Sequence, residues 1–155
     1  MGTQQILLIV LSVIIVGAAI AVGIQMFNSQ AYSANKSAIA SDAQSFATQV
    51  VQFYKTPLSQ GGAGKDGKKL ITADIASYIG WGSNTTVDND NGYYTILSDG
   101  TDTTEATIVT ITGIGKEKNG SKIPTVVTTF TIDGETITAE VGDNGTIPSG
   151  SVPMP

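Results

Sequence analysis

Between positions 88 and 92 the chain reads Asp88-Asn89-Asp90-Asn91-Gly92, which places oxygen-bearing side chains at alternate positions, as calcium loops do. The chemistry this pattern suggests is hard-cation binding, with Asp88 and Asp90 as the candidate ligands. No Glu follows at the EF-hand spacing, so Asp99 and Asp102 would complete a site only if two loops converged. The same five residues also compose a plain turn ahead of a strand. Calcium is thus the one candidate cofactor. Inventory bounds the rest: with no Cys, His or Arg, the chain has no thiolate nucleophile, Ser-His-Asp triad, imidazole base or usual zinc ligand set. The remaining carboxylates, lysines and hydroxyls fall into no spacing that makes a mechanism, and the chain reads as a non-enzyme.

Four Asn-x-Ser/Thr sequons occur, at Asn35, Asn84, Asn119 and Asn144, where 7 Asn and 33 Ser or Thr in 155 positions would give about 1.5 by chance. They are candidate glycan acceptors, although the threonines also serve strand propensity. Thirteen carboxylates against 8 lysines leave a net charge of -5, so no general attraction to nucleic acid is built in. Lys65, Lys68 and Lys69 lie among glycines and read as a solvated loop, with a subunit or polyanion contact as the alternative.

No charged side chain precedes Lys36, and residues 6–24, ILLIVLSVIIVGAAIAVGI, contain 13 Ile, Leu or Val and nothing more polar than Ser12. At about -0.3 to -0.6 kcal/mol for each, those 13 favour membrane insertion by roughly 4 to 8 kcal/mol. MGTQQ lacks the basic n-region of a secretory signal, and no Lys or Arg flanks the segment as an ordinary anchor requires. No Pro appears before Pro57, and Ile39, Ala43, Phe46, Val50 and Phe53 follow i, i+4, i+7, i+11, i+14, one stripe of 3.6-residue period. The pattern predicts one helix from about residue 2 to Tyr54, roughly 80 Å long at 1.5 Å per residue. Its first half is apolar all round and its second half amphipathic, with Lys55-Thr56-Pro57 ending it. Gly17 with Ala21, and Ala19 with Gly23, form two small-xxx-small pairs that let helix backbones approach closely.

Gly61, Gly62, Gly64 and Gly67 mark an exposed loop, and Thr72 is placed to cap a short helix through Ile79 that Gly80 stops. Trp81, the only Trp, reads as an anchor of this region to the core. Strands are predicted at 93–98, 105–112, 125–132 and 135–141, with Asp133-Gly134 as a two-residue hairpin turn. Val126, Phe130 and Ile132 alternate onto one face, and Ile137, Ala139 and Val141 do the same in the next strand; the helix stripe is the expected cover. The expected fold is α+β: a long N-terminal helix packed on a four-stranded antiparallel meander. Residues 1–27 form an apolar polymerisation or transmembrane half. Residues 28–155 form a head made of the half-helix 28–55, a loop with a short helix 56–92, a sheet 93–141 and a Pro-rich tail 142–155 that crosses the head surface.

The GAAIAVGIQMF centre of the apolar helix, its amphipathic continuation, the glycine-rich loop and the strand meander together resemble type IV pilins and type II secretion pseudopilins. The resemblance implies a precursor whose leader is removed by a prepilin peptidase, with Met1 as the mature and often methylated N-terminus. It also implies a membrane-inserted pool that inner-membrane machinery assembles into a helical homopolymer on the cell surface. Assembly would then fall to Met1, Gln4, Gln5, Gly17, Ala19, Ala21 and Gly23. Most family members carry a glutamate near the mature N-terminus, where this chain has Gln4 and Gln5, neutral amides that bond less strongly than a carboxylate. Gly23 stands where many pilins have a helix-breaking proline, and the absence of Cys rules out a disulfide-closed C-terminal loop. The leading expectation is a major pilin, with a secretion pseudopilin and a single-anchor protein bearing a ligand-binding head as alternatives.

Overall fold

The computed structural model describes residues 2–145 and the backbone of 152–153. A single α-helix, α1, runs Gly2–Lys55, and a shorter one, α2, runs Thr72–Tyr78. Five strands follow: β1 Thr86–Asp88, β2 Gly92–Ser98, β3 Ile108–Gly115, β4 Thr125–Thr131 and β5 Thr136–Gly142. They pair antiparallel in the order β5-β4-β3-β2-β1, and a two-residue β6, Val152–Pro153, lies parallel on the far side of β1. The architecture is the expected α+β packing of a long helix on an antiparallel sheet, with five antiparallel strands rather than four.

β1 escapes a sequence reading because three residues cannot display an alternation, and only Val87 among them is apolar. The turn after it is closed by Asn89, whose side-chain oxygen accepts from the backbone N–H of Asn91 and of Gly92, both at 2.9 Å. The predicted strand 105–112 is shifted to Ile108–Gly115. At its start the Asp99 carboxylate accepts from the N–H groups of Thr107 and Ile108, holding the preceding residues in a loop. At its end Gly113 and Gly115 continue the strand instead of stopping it. A β-carbon on Gly115 would lie 2.0 Å from Asn35 Oδ1, so the missing side chain is what lets α1 and the sheet approach there.

Asp133-Gly134 is not a two-residue hairpin. Thr131 pairs with Thr136, leaving a four-residue loop 132–135. Glu135 takes a left-handed φ of 48°, and its N–H donates to Ile132 O at 3.1 Å. Nor does Thr72 cap α2: the N-cap is Ile71, and the Thr72 hydroxyl accepts from Ser98 N–H at 3.0 Å, tying the helix to the end of β2. The other end is as expected, with Gly80 at φ 87° and Trp81 N–H closing back on Ala76 O.

The helix stripe lies on β3 and β4. Ile39, Ala43, Ala47, Val50 and Phe53 are buried against Val109, Ile111, Val126 and Phe130, while Phe46 is half-buried and meets Trp81 and Tyr94 edge-to-face at 5.1 Å each. Trp81 is buried, as its anchoring role requires. The expectation fails at β5. Ile137, Ala139 and Val141 do stand on the helix side, opposite Phe130, Thr128 and Val126, but Ile137 is 41% and Val141 50% exposed. One helix about 10 Å across covers roughly two strands spaced about 4.8 Å apart, so β5, which α1 touches less than β3 and β4, keeps much of its apolar face exposed.

Gly92 meets a tight backbone constraint, since a β-carbon there would sit 2.4 Å from Ile114 O. Gly92→Ala is expected to destabilise the head by about 1 to 3 kcal/mol, the usual cost of overpacking. Urea unfolding of the detergent-solubilised chain, followed by the fluorescence of Trp81, measures it; an unchanged midpoint would show that β2 and β3 can part there without cost.

Candidate assembly surface

Every residue of α1 from Gly2 to Gln30 is exposed, and the apolar run makes no contact with the head. Phe27, the last large apolar residue before the polar half, is 73% exposed. The helix is long and apolar enough to cross a membrane. Its one internal hydroxyl is satisfied locally, Ser12 donating to Ile9 O at 2.8 Å. A β-carbon on Gly17 or Gly23 would find no atom within 4 Å, so neither glycine is required by the fold of the single chain. Gly17 instead opens a shallow notch lined by Ser12, Val13, Val16 and Ile20. Ala19 and Ala21 lie on the same exposed length, and Gln4 and Gln5 are exposed at its start. Met1 lies outside the described residues, as does most of the Pro-rich tail.

The head is held to the helix at three polar sites that the sequence reading did not single out. Near the end from which the apolar half emerges, Asp143 accepts from Tyr32 OH at 2.7 Å and forms an ion pair with Lys36. The ion pair with Lys36, then the Tyr32 hydrogen bond, hold the Asp143 carboxyl below its usual range, while burial first and then Asp143 push Tyr32 up to about 12. At the opposite end Glu135 bridges Lys55 at 2.7 Å and Lys65 at 3.4 Å, which lowers its carboxyl. Lys65 of the basic loop therefore has an intramolecular partner.

The third site lies between them. Asp42 Oδ2 accepts from Tyr94 OH at 2.7 Å, Asn91 Nδ2 at 2.8 Å and Asn89 Nδ2 at 2.9 Å. Burial pushes the Asp42 carboxyl up, but the three hydrogen bonds outweigh it and hold the group below its usual value. Burial, and then the Asp42 charge, raise Tyr94 strongly. The signal missed in the sequence was an Asp one position before the stripe residue Ala43, facing a loop rich in amide donors.

The loop flagged for calcium is organised around these contacts. Asp88 Oδ2 is 3.4 Å from Lys116 Nζ, an ammonium that also donates to Asn89 O, and Asp90 is exposed. Asp99 and Asp102 follow the far end of β2, so the two loops do not converge. The described residues contain no group of three or more acidic side chains placed to hold a metal ion. Of the sequons, Asn35 is half-buried with its Nδ2 donating to Asn91 O at 2.7 Å, and Asn84 is half-buried. Asn119 and Asn144 are exposed.

Asp42, Asp99, Glu135 and Asp143 all have lowered carboxyls, Asp99 because hydrogen bonds from Thr107 and Ile108 overcome its burial. Depressed groups stabilise the fold fully above their unfolded values, about 3.9 for Asp and 4.3 for Glu, and lose that contribution as pH falls through the folded ones. With no His, no side chain of ordinary pKa titrates between pH 5 and 8. The melting temperature of the head should therefore be flat from pH 8 to about 5 and fall below about 4. A transition centred between pH 5 and 8 would contradict these assignments.

Set against protein-family models, curated proteins and solved structures, the chain matches none of them.

Proposed function

We propose that the chain is the structural subunit of a type IV pilus-like filament on the cell surface, polymerised through its apolar half-helix. The observation that carries the reading is the division of α1. One continuous helix is the core of the head from Tyr32 to Tyr54, yet over residues 2–30 it touches nothing in its own chain. Thirteen Ile, Leu and Val side chains cannot stay in water; lipid or sister helices must cover them. Gly17 and Gly23 favour sister helices. Each weakens a helix by about 1 kcal/mol relative to Ala, and a glycine with no intramolecular neighbour recovers that cost when another backbone packs against it. Before assembly the same segment holds the subunit in the membrane.

The ion-pair and hydrogen-bond anchors at Asp42, Glu135 and Asp143 suit this role, because together with the buried stripe they tie the helix to the sheet along the length of the head. Electron microscopy of sheared cell-surface material, with the filaments identified by mass spectrometry, tests the proposal. Filaments composed of this chain, with residues 6–27 packed on their equivalents in other copies, are expected. Recovery of the protein solely as a detergent-dependent membrane monomer would overturn it.

A further inference from the structure

We infer that Asn119 is an N-glycosylation site, its side-chain amide accepting an oligosaccharide from a lipid-linked donor. The inference rests on that part of the proposed function which places the head outside the cytoplasm. Asn119-Gly120-Ser121 forms the tip of the connection between β3 and β4. Asn119 N–H donates to Lys122 O and Lys122 N–H to Asn119 O, both at 3.1 Å, so the backbone closes a tight turn with Gly120 at a left-handed φ of 64°. Nothing lies within 4 Å of a β-carbon built on Gly120, and residues 117 to 121 are all exposed. No hydrogen bond among the described residues engages Asn119 Nδ2, the atom a sugar would take, in contrast to Asn35, whose Nδ2 is held by Asn91 O.

Position supports chemistry here. Glu117 N–H donates to Asn35 Oδ1 at 3.4 Å, which fixes this connection beside residue 35 of α1. Phe27, the last large apolar side chain of the segment, precedes Asn35 by eight residues, about 12 Å along a helix. While the subunit waits in the membrane, the Asn119 turn is therefore held just above the lipid surface, where a polyprenyl-phosphate-linked sugar presents its head group. In the transfer, Asn119 Nδ2 forms a bond to the anomeric carbon and the bond from that carbon to the donor's phosphate oxygen breaks. The lipid phosphate leaves, and one amide proton passes to the transferase. The Ser121 hydroxyl is the sequon group the transferase reads.

Mass spectrometry of the native protein purified from its own cells tests this, together with Asn119→Gln, Ser121→Ala and Ser121→Thr variants. The expected result is a saccharide increment on the Asn119 peptide that disappears in the first two variants and returns in the third. Trp81 fluorescence should show all three heads folded. An unmodified Asn119 peptide as the dominant native species, or an increment that survives Asn119→Gln, overturns the inference. Filaments with a bare Asn119 would remove this inference alone, whereas a modified Asn119 on a chain found purely as a lipid-embedded monomer would remove the filament reading and leave this one standing.

Discussion

Gly17→Leu is expected to abolish filament assembly, lowering the yield of sheared filaments at least about tenfold, the equivalent of 1.4 kcal/mol lost from the assembly contact. The substitution favours every competing process. Leucine is a better helix former than glycine by about 1 kcal/mol and is more readily accepted by lipid, so neither helix loss nor failed insertion accounts for a defect. Its β-carbon clashes with nothing in its own chain, since no atom lies within 4 Å of that position, and the head begins only at Tyr32. What leucine does is fill the notch between Val13 and Ile20 and push apart any helix that approaches there. Gly17→Ala should retain part of the yield. The melting temperature of the head, read from Trp81, should be unchanged in both. Wild-type filament yield from Gly17→Leu would show that the glycine does not mark a helix contact.

The parts of this molecule that were legible in the sequence are those with long periods. The continuous helix to Lys55 followed from an unbroken stripe with no proline, and β2 and β4 from alternations of seven residues in which each second side chain is buried. What escaped was set by partners distant in the chain. β1 is three residues held by pairing to β2 and carries too little pattern to be seen alone. The predicted strand ended at residue 112, whereas Gly113 and Gly115 continue it at the places where Tyr94 and Asn35 come close. The loop 132–135 reads as a tight turn until Glu135 is seen reaching Lys55 and Lys65. β5 misled in the opposite direction: its alternation is real, but a pattern reports which side chains share a face and cannot report that the covering helix is one strand too narrow. The exposed apolar half of α1 was legible, because an all-apolar helix needs no partner in its own chain to be recognised. The polar anchors were not, since Asp42 differs from any half-exposed helical Asp only through residues 47 to 52 positions away.

Asp42→Ala should be the most destabilising polar substitution in the head, costing about 2 to 4 kcal/mol. One carboxylate oxygen satisfies three donors, and hydrogen bonds to a charged group contribute about 1.5 to 3 kcal/mol each before their mutual dependence is allowed for. Alanine leaves the hydroxyl of Tyr94 without an acceptor while its ring stays packed on Phe46 in the core. The geometry makes the loss larger than a local one. α1 covers β3 and β4, and beyond the packing of Val87, Tyr94 and Ile96 in the core it is Asn89 and Asn91 reaching Asp42 that tie the turn between β1 and β2 to the helix. At about 3 to 5 °C for each kcal/mol in a head of this size, the melting temperature should fall by roughly 10 °C. Asp42→Asn keeps an acceptor oxygen without the charge and should lose about half as much, and Tyr94→Phe, which removes one donor and strands none, about 1 kcal/mol. The Asp42→Ala, Tyr94→Phe double variant should then be less destabilised than the sum of the two singles, by about 1 kcal/mol. A fall of less than about 2 °C for Asp42→Ala, or strict additivity in that cycle, would mean that water replaces the carboxylate at no cost and that the hairpin is held by its strand pairing and apolar packing alone.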